Sequence, residues 1–187
     1  MKYAMGVSAS IIVSAGLLAA QFLNMPVEIP AVDHAFGEAD LIRMRDAEKE
    51  HERYLRNIAA AQEILFPFNC GEKVAASIVA VADSVHLSPR IVASTIVAES
   101  SCQSSVVSKD GAVGLMQVDR HTWKQYTREE LMQPDRNIEI GARILAANIR
   151  QTGSTREGLR KYFGVTAGST ASDEYADKIL GIAARRN

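Results

Sequence analysis

Glu99 is the residue of this chain best placed for acid–base chemistry. It lies in the stretch IVAESSCQSSVVSKDGAVGLMQV, residues 96 to 118, where an apolar helical run ends in a lone carboxylate and passes into a loop of small residues. Ser88-Pro89 reads as a helix start, a hydroxyl N-cap followed by proline at the first helical position. Ile91, Val92, Ile96 and Val97 recur at helical spacing, and Ala93 and Ala98 keep the adjoining surface small. That face belongs in a core, with Glu99 close to it and near the helix end, where the negative end of the macrodipole disfavours a charged carboxylate. Partial burial pushes the same way, and a carboxyl held protonated near neutral pH is what a general acid requires. Residue chemistry alone leaves open the commoner case of a surface glutamate closing a helix. Asp110 and Asp119, flanking the loop, are the other carboxylates close by in sequence.

The elements that would position Glu99 are helical. Gly37 precedes a charge-dense segment, Glu38 to Leu65, with a sparse apolar stripe of Leu41, Met44, Leu55, Ile58, Ile64 and Leu65. It reads as a long, mostly solvated helix, with a partner-binding face as the less favoured alternative. FPFNCG, residues 66 to 71, interrupts it, and Glu72 to Val85 repeats a helical pattern through Val74, Ile78, Val81 and Val85. A short turn at His86-Leu87 makes this helix and the next antiparallel, which brings Cys70 towards Cys102. A bond between the two is expected, two buried thiols being the alternative, and a ring of this size contributes about 3 to 4 kcal/mol. Residues 103 to 117 read as a loop or small β-turn flooring a cleft, with Gly111 and Gly114 allowing close backbone approach to a ligand. Beyond it, Asp119 is expected to cap a short helix through Trp123, and Thr127 with Glu130 to form a capping box. Asp135 is expected to cap Arg136 to Gln151, Ser154 with Glu157 the next helix, and Ser172 the last, through Ala184. Trp123 reads as a core residue, with stacking on a bound ligand as the less favoured alternative.

The Glu99 stretch resembles the active-site motif of the soluble lytic transglycosylases, a lysozyme-like family acting on peptidoglycan. The matching positions are Glu99 and Ser100, then Ser108, Gly111, Ala112, Gly114, Leu115, Met116 and Gln117. Looser likeness runs from about Cys70 to Leu180. DRNIEIG resembles a family helix with its asparagine, here Asn137, one place early. Tyr162 in KYFG and Tyr175 match family tyrosines, while Ile144 and Phe163 stand where the family often has tyrosine and asparagine. The resemblance implies a mostly α, lysozyme-like domain over residues 67–187, with Glu99 catalytic and Met116 packed against the bound sugar. It also implies that Ser108 and Gln117 hydrogen-bond around the carboxyl or the sugar, and that Tyr162 stands beside the cleft. The implied reaction cleaves the β-1,4 bond between N-acetylmuramic acid and N-acetylglucosamine with 1,6-anhydro product, needing neither metal nor organic cofactor. A lysozyme-type hydrolase and a noncatalytic glycan-binding component are the alternatives.

Composition bounds the rest. The 187 residues suit one catalytic domain plus an appendage, and a hydrophobic content of 47% with 23% charged residues is ordinary for a globular chain. A formal net charge of −1 gives no sign of a nucleic-acid partner, and two cysteines with four scattered histidines match no zinc site. Tyr3 to Val27 carries no charged residue, so residues 1–27 read as a secretory signal peptide or an uncleaved membrane anchor. Pro26 and Pro30 open a linker, and 28–66 is expected to comprise that linker and the charged helix. The expected location is the cell envelope, periplasmic or membrane-anchored, or else a virion. The expected partners are peptidoglycan glycan strands, a membrane through residues 3–27 if uncleaved, and components of an envelope machine or phage particle.

Overall fold

The computed structural model describes residues 37–164 and 169–185. The apolar segment 3–27, the linker to Phe36 and residues 165–168 lie outside it. No helix among the described residues is long and apolar enough to cross a membrane. The chain divides into two compact units, residues 1–45 and 46–187, and of the first only Gly37 and the opening turns of a helix are described.

Seven α-helices and one small hairpin make up the described residues: α1 Glu38–Leu65, α2 Glu72–Val85, α3 Pro89–Ser100, β1 Ala112–Val113, β2 Val118–Asp119, α4 Arg128–Met132, α5 Pro134–Thr152, α6 Thr155–Tyr162 and α7 Thr170–Ala184. The fold is mostly α, as expected. A single 3₁₀ turn, Phe66–Phe68, breaks α1 from α2 where Pro67 removes a backbone donor. Helix α1 is solvated along most of its length and buries only Ala61, Ile64 and Leu65.

The core is built from one face each of α2, α3 and α5, with Ile78, Ala82, Val92, Ile96, Ile138 and Ala142 packed together. Two satellite clusters join it. Leu131 and Ile140 hold Val113 and Val118 of the hairpin, and Leu145 and Leu159 hold Ala176 and Ile179 of α7. Close approach is enforced where side chains are missing: a methyl on Gly141 of α5 would lie 2.6 Å from Cβ of Met116. Arg90 ties three elements, donating to Glu63 at 2.6 Å and to the carbonyl of Ala183 at 2.6 Å.

The capping expectations hold at Thr127, where hydroxyl and Glu130 carboxylate reciprocate, and at Ser154, which accepts from the Glu157 amide. They shift elsewhere. Helix α5 starts at Pro134 with Gln133 as N-cap, so Asp135 lies inside its first turn and accepts from Ser77 Oγ. Ser169, not Ser172, caps α7: its oxygen accepts from the Ser172 amide, while Ser172 is buried within the helix. No helix forms at Asp119; its carboxylate accepts from the amides of His121 and Thr122 and the Thr122 hydroxyl, closing a polar turn. Ser88 stands at the N-cap of α3 in extended conformation, without a side-chain cap bond.

Cys70 and Cys102 are bonded, their Cα atoms 5.7 Å apart. The α2–α3 hairpin brings them together as its antiparallel geometry requires.

Candidate active site

Glu99 sits one residue from the end of α3. The helix stops because Ser101 and then Cys102 adopt positive φ, 47° and 69°, and the Ser101 amide closes on the Val97 carbonyl. Next to Glu99, Ser100 is buried with its hydroxyl 2.8 Å from the Leu115 carbonyl and 3.1 Å from the Ile96 carbonyl. A hydroxyl has one proton, so the nearer bond dominates, and it pins the helix end to the loop that floors the cleft.

That floor is held from beneath by Asn137 of α5. Its carboxamide oxygen accepts from the Met116 amide at 2.7 Å, and its nitrogen donates to the carbonyls of Val113 and Leu131, each at 2.8 Å. All three bonds are buried, and so is Asn137. Gly114 makes this approach possible, since with φ of 79° a Cβ there would lie 2.3 Å from the Asn137 nitrogen. The glycine thus makes room for Asn137, where the sequence alone had suggested close approach to a ligand. Gly111 similarly faces His121, whose Nε2 would lie 2.9 Å from an added Cβ.

The cleft above this floor has a volume of about 580 Å³. Glu99, Ser108, Gln117 and Tyr162 all line it, so the fold brings four of the expected site residues together. Ser108 Oγ accepts from the Ala112 amide at 3.0 Å, and the Gln117 carboxamide donates to the Gly114 carbonyl at 2.9 Å. The fifth, Met116, is the correction. It is 0% exposed, its side chain lies against Gly141 in the core, and it takes no part in lining the cleft. The tight Gly141 contact drives it inward, while its backbone carbonyl accepts from the Tyr162 hydroxyl at 2.8 Å.

Further residues around Glu99 and its cleft were less legible. Tyr175 of α7 donates its hydroxyl to Glu99 Oε1, a contact 76 residues apart in sequence. Phe163, in the cleft wall, lies over Tyr175 with ring centroids 4.8 Å apart. Ile144, Asn148, Lys161, Asp110 and Asp119 line the same cleft, as does Trp123, which is half-buried against the hairpin cluster instead of wholly in the core. Nothing local in the sequence marks Asn148 or Lys161; Phe163 and Ile144 were visible only as departures from the family pattern.

The electrostatics divide the carboxylates. Burial raises the Glu99 pKa above the ordinary glutamate value, opposed by the Tyr175 hydrogen bond and the charge of Lys178. Tyr162 and Tyr175 are held neutral, pushed up first by burial and then by the Glu99 charge. Asp119 is shifted the other way, its carboxylate lowered chiefly by the Thr122 hydroxyl. The site thus combines a shielded acid, two neutral phenols and an aspartate whose accepting positions face its own turn.

Comparison with known proteins agrees with this geometry. Residues 77–168 match the family described as Transglycosylase SLT domain. A protein named transglycosylase from Enterobacteria phage PRD1 is 36% identical over 81 residues, covering 43% of this chain and 31% of the phage protein. The endo-type membrane-bound lytic murein transglycosylase A of Cronobacter sakazakii is 39% identical over 71 residues, covering 32% of this chain and 35% of the relative. The chain spans about a third of the length of the curated relatives it matches. Glu99 and the loop that floors its cleft both fall inside the matched residues, which make up an SLT domain.

Proposed function

We propose that this domain is a peptidoglycan lytic transglycosylase that cleaves the β-1,4 bond between N-acetylmuramic acid and N-acetylglucosamine. The observation that carries the reading is a single shielded carboxyl, Glu99, in a cleft whose aspartates are either engaged by their own turn or exposed at the rim. Burial keeps Glu99 protonated further towards neutral pH than a surface glutamate, ready to donate to the glycosidic oxygen. The bond from muramic C1 to that oxygen breaks, and the glucosamine leaves with the proton as its 4-hydroxyl. The ionised Glu99 then takes the proton of the muramic 6-hydroxyl, whose oxygen bonds to C1 and closes the 1,6-anhydro ring. Tyr175 donates to Glu99 and stabilises its charged form, which favours the first half, in which the proton is given up. Ser108, Gln117 and Tyr162 hold the floor and wall against which the sugar is placed.

Hydrolysis is the second reading, because Asp110 and Asp119 share the cleft with Glu99 and a pair of carboxylates is what ordinary glycosidases use. An Asp110→Asn, Asp119→Asn double variant separates the two. It retains release of anhydro muropeptides from sacculi under the transglycosylase reading. Loss of activity in the folded double variant, or reducing-end products from the unaltered protein, assigns the chain to hydrolysis. The setting we propose is the cell envelope or a virion, for wall remodelling or local wall penetration, in keeping with the bacterial membrane-bound and phage relatives.

A further inference from the structure

Helix α1 is long and largely unpartnered. Of residues 38 to 56 all but Asp40 are exposed, and Arg53 reaches Asp83 of α2 through an ion pair at 3.1 Å. A solvated helix is marginal on its own propensity, and this one exposes Leu41, Met44 and Leu55 by 50%, 42% and 51%. Those residues are regularly spaced. Leu41, Met44, Glu48, His51, Leu55 and Ile58 alternate steps of three and four, the a and d positions of a heptad seam. Ile42, also exposed, falls at a b position outside the seam.

We propose that α1 pairs antiparallel with α1 of a second copy of this chain. Laid about the midpoint between Lys49 and Glu50, the seam is complementary to itself. Leu41 meets Ile58 of the second copy, Met44 meets Leu55, and Glu48 meets His51. Every apolar residue gains an apolar partner, and the one carboxylate of the seam gains an imidazole. The flanking positions agree: Arg45 comes beside Glu52 of the second copy, and two-fold symmetry repeats the pair. Glu52 already holds Arg56 of its own helix at 3.2 Å, and a carboxylate has acceptor capacity for a second cation. Parallel pairing in register would instead oppose Glu48 to Glu48 and His51 to His51, so that carboxylate faces carboxylate. The antiparallel arrangement is therefore the one the sequence of the helix favours.

Cysteine crosslinking in the full-length chain, in detergent solution, tests the orientation. Cys70 and Cys102 are bonded to one another, so introduced thiols report alone. Mixed Met44→Cys and Leu55→Cys proteins should form a disulfide between copies on mild oxidation, and neither variant should do so by itself. Met44→Cys homodimers would indicate parallel pairing, and crosslinks in every combination would indicate random encounter; either overturns the proposal. Sedimentation equilibrium gives an independent reading. Arg45→Glu should weaken self-association about ten-fold by turning two attractive pairs repulsive, with helicity by circular dichroism unchanged, and adding Glu52→Arg should restore it. A double variant as weak as the single one refutes the register. A chain that stays monomeric across micromolar concentrations refutes the pairing and leaves the face to a different partner.

Discussion

Replacing Asn137 by alanine tests whether the cleft floor is suspended from α5. The side chain is fully buried and satisfies three backbone groups, the Met116 amide and the carbonyls of Val113 and Leu131. Each buried group left unpaired costs about 1 to 3 kcal/mol. Partial relaxation and entry of water recover some of this, so the expected loss is roughly 3 to 6 kcal/mol. Urea denaturation followed by circular dichroism would read it as a lower midpoint at unchanged slope. Asn137→Asp distinguishes hydrogen bonding from cavity formation. It keeps the shape and the acceptor for Met116 but turns an oxygen towards two carbonyls, which raises the pKa of the new carboxyl. Its contribution should be most favourable below the ordinary aspartate pKa and should be lost as pH rises through the elevated folded value. The aspartate variant should therefore gain on the alanine variant in acid and fall back at neutral pH. An alanine variant within about 1 kcal/mol of the parent would show that the three bonds do not suspend the floor.

Three further outcomes are expected. Glu99→Gln should abolish muropeptide release yet be at least as stable as the parent at pH 7. The raised Glu99 pKa means that the parent loses stability as pH rises from the ordinary glutamate value through the folded one, and calorimetry across that window would show a flatter profile for the variant. Tyr175→Phe removes a bond to the charged form of Glu99, so the alkaline limb of the pH–activity profile should move to higher pH, and a limb moved downward would contradict the assignment. Reduction of Cys70–Cys102 should cost about 3 to 4 kcal/mol, checked by denaturation with and without reductant, and mass spectrometry after thiol labelling of the unfolded native protein should find no labelled cysteine.

Much of the fold was legible because its helices are marked locally. Gly37, Pro89, the Thr127–Glu130 pair and Gly153 each start, cap or end a helix by chemistry within a turn of themselves, so their residue types suffice. Ser169 and Ser172 show where local chemistry is degenerate. Both are hydroxyls three apart, and what separates them is that Ser172 is buried by tertiary packing. Met116 was misplaced for a related reason. Its direction is set by the absence of a side chain at Gly141, 25 residues on, which no spacing within the loop can report. The place of Glu99 in the cleft was legible and its phenolic partner only half so, since a tyrosine on the last helix declares its reach to Glu99 only once α7 is packed beside α3.

The end of α3 has one more consequence. Ser101 and Cys102 both hold left-handed backbone conformations, which cost non-glycine residues about 1 kcal/mol or more each. Cys102 is also one half of the covalent clasp to Cys70, so the clasp fixes the direction in which the chain leaves the helix as well as closing a loop. Glu99 stands three residues upstream of that point. The acid and the clasp are therefore joined in series, like a pointer and the pin it turns on. Opening the bond would remove that fixed exit and leave the Ser100 hydroxyl, bonded to the Leu115 carbonyl, as the tie between the helix end and the cleft floor. The direction of the acid thus rests on two ties of different chemistry, one covalent and one a single hydrogen bond.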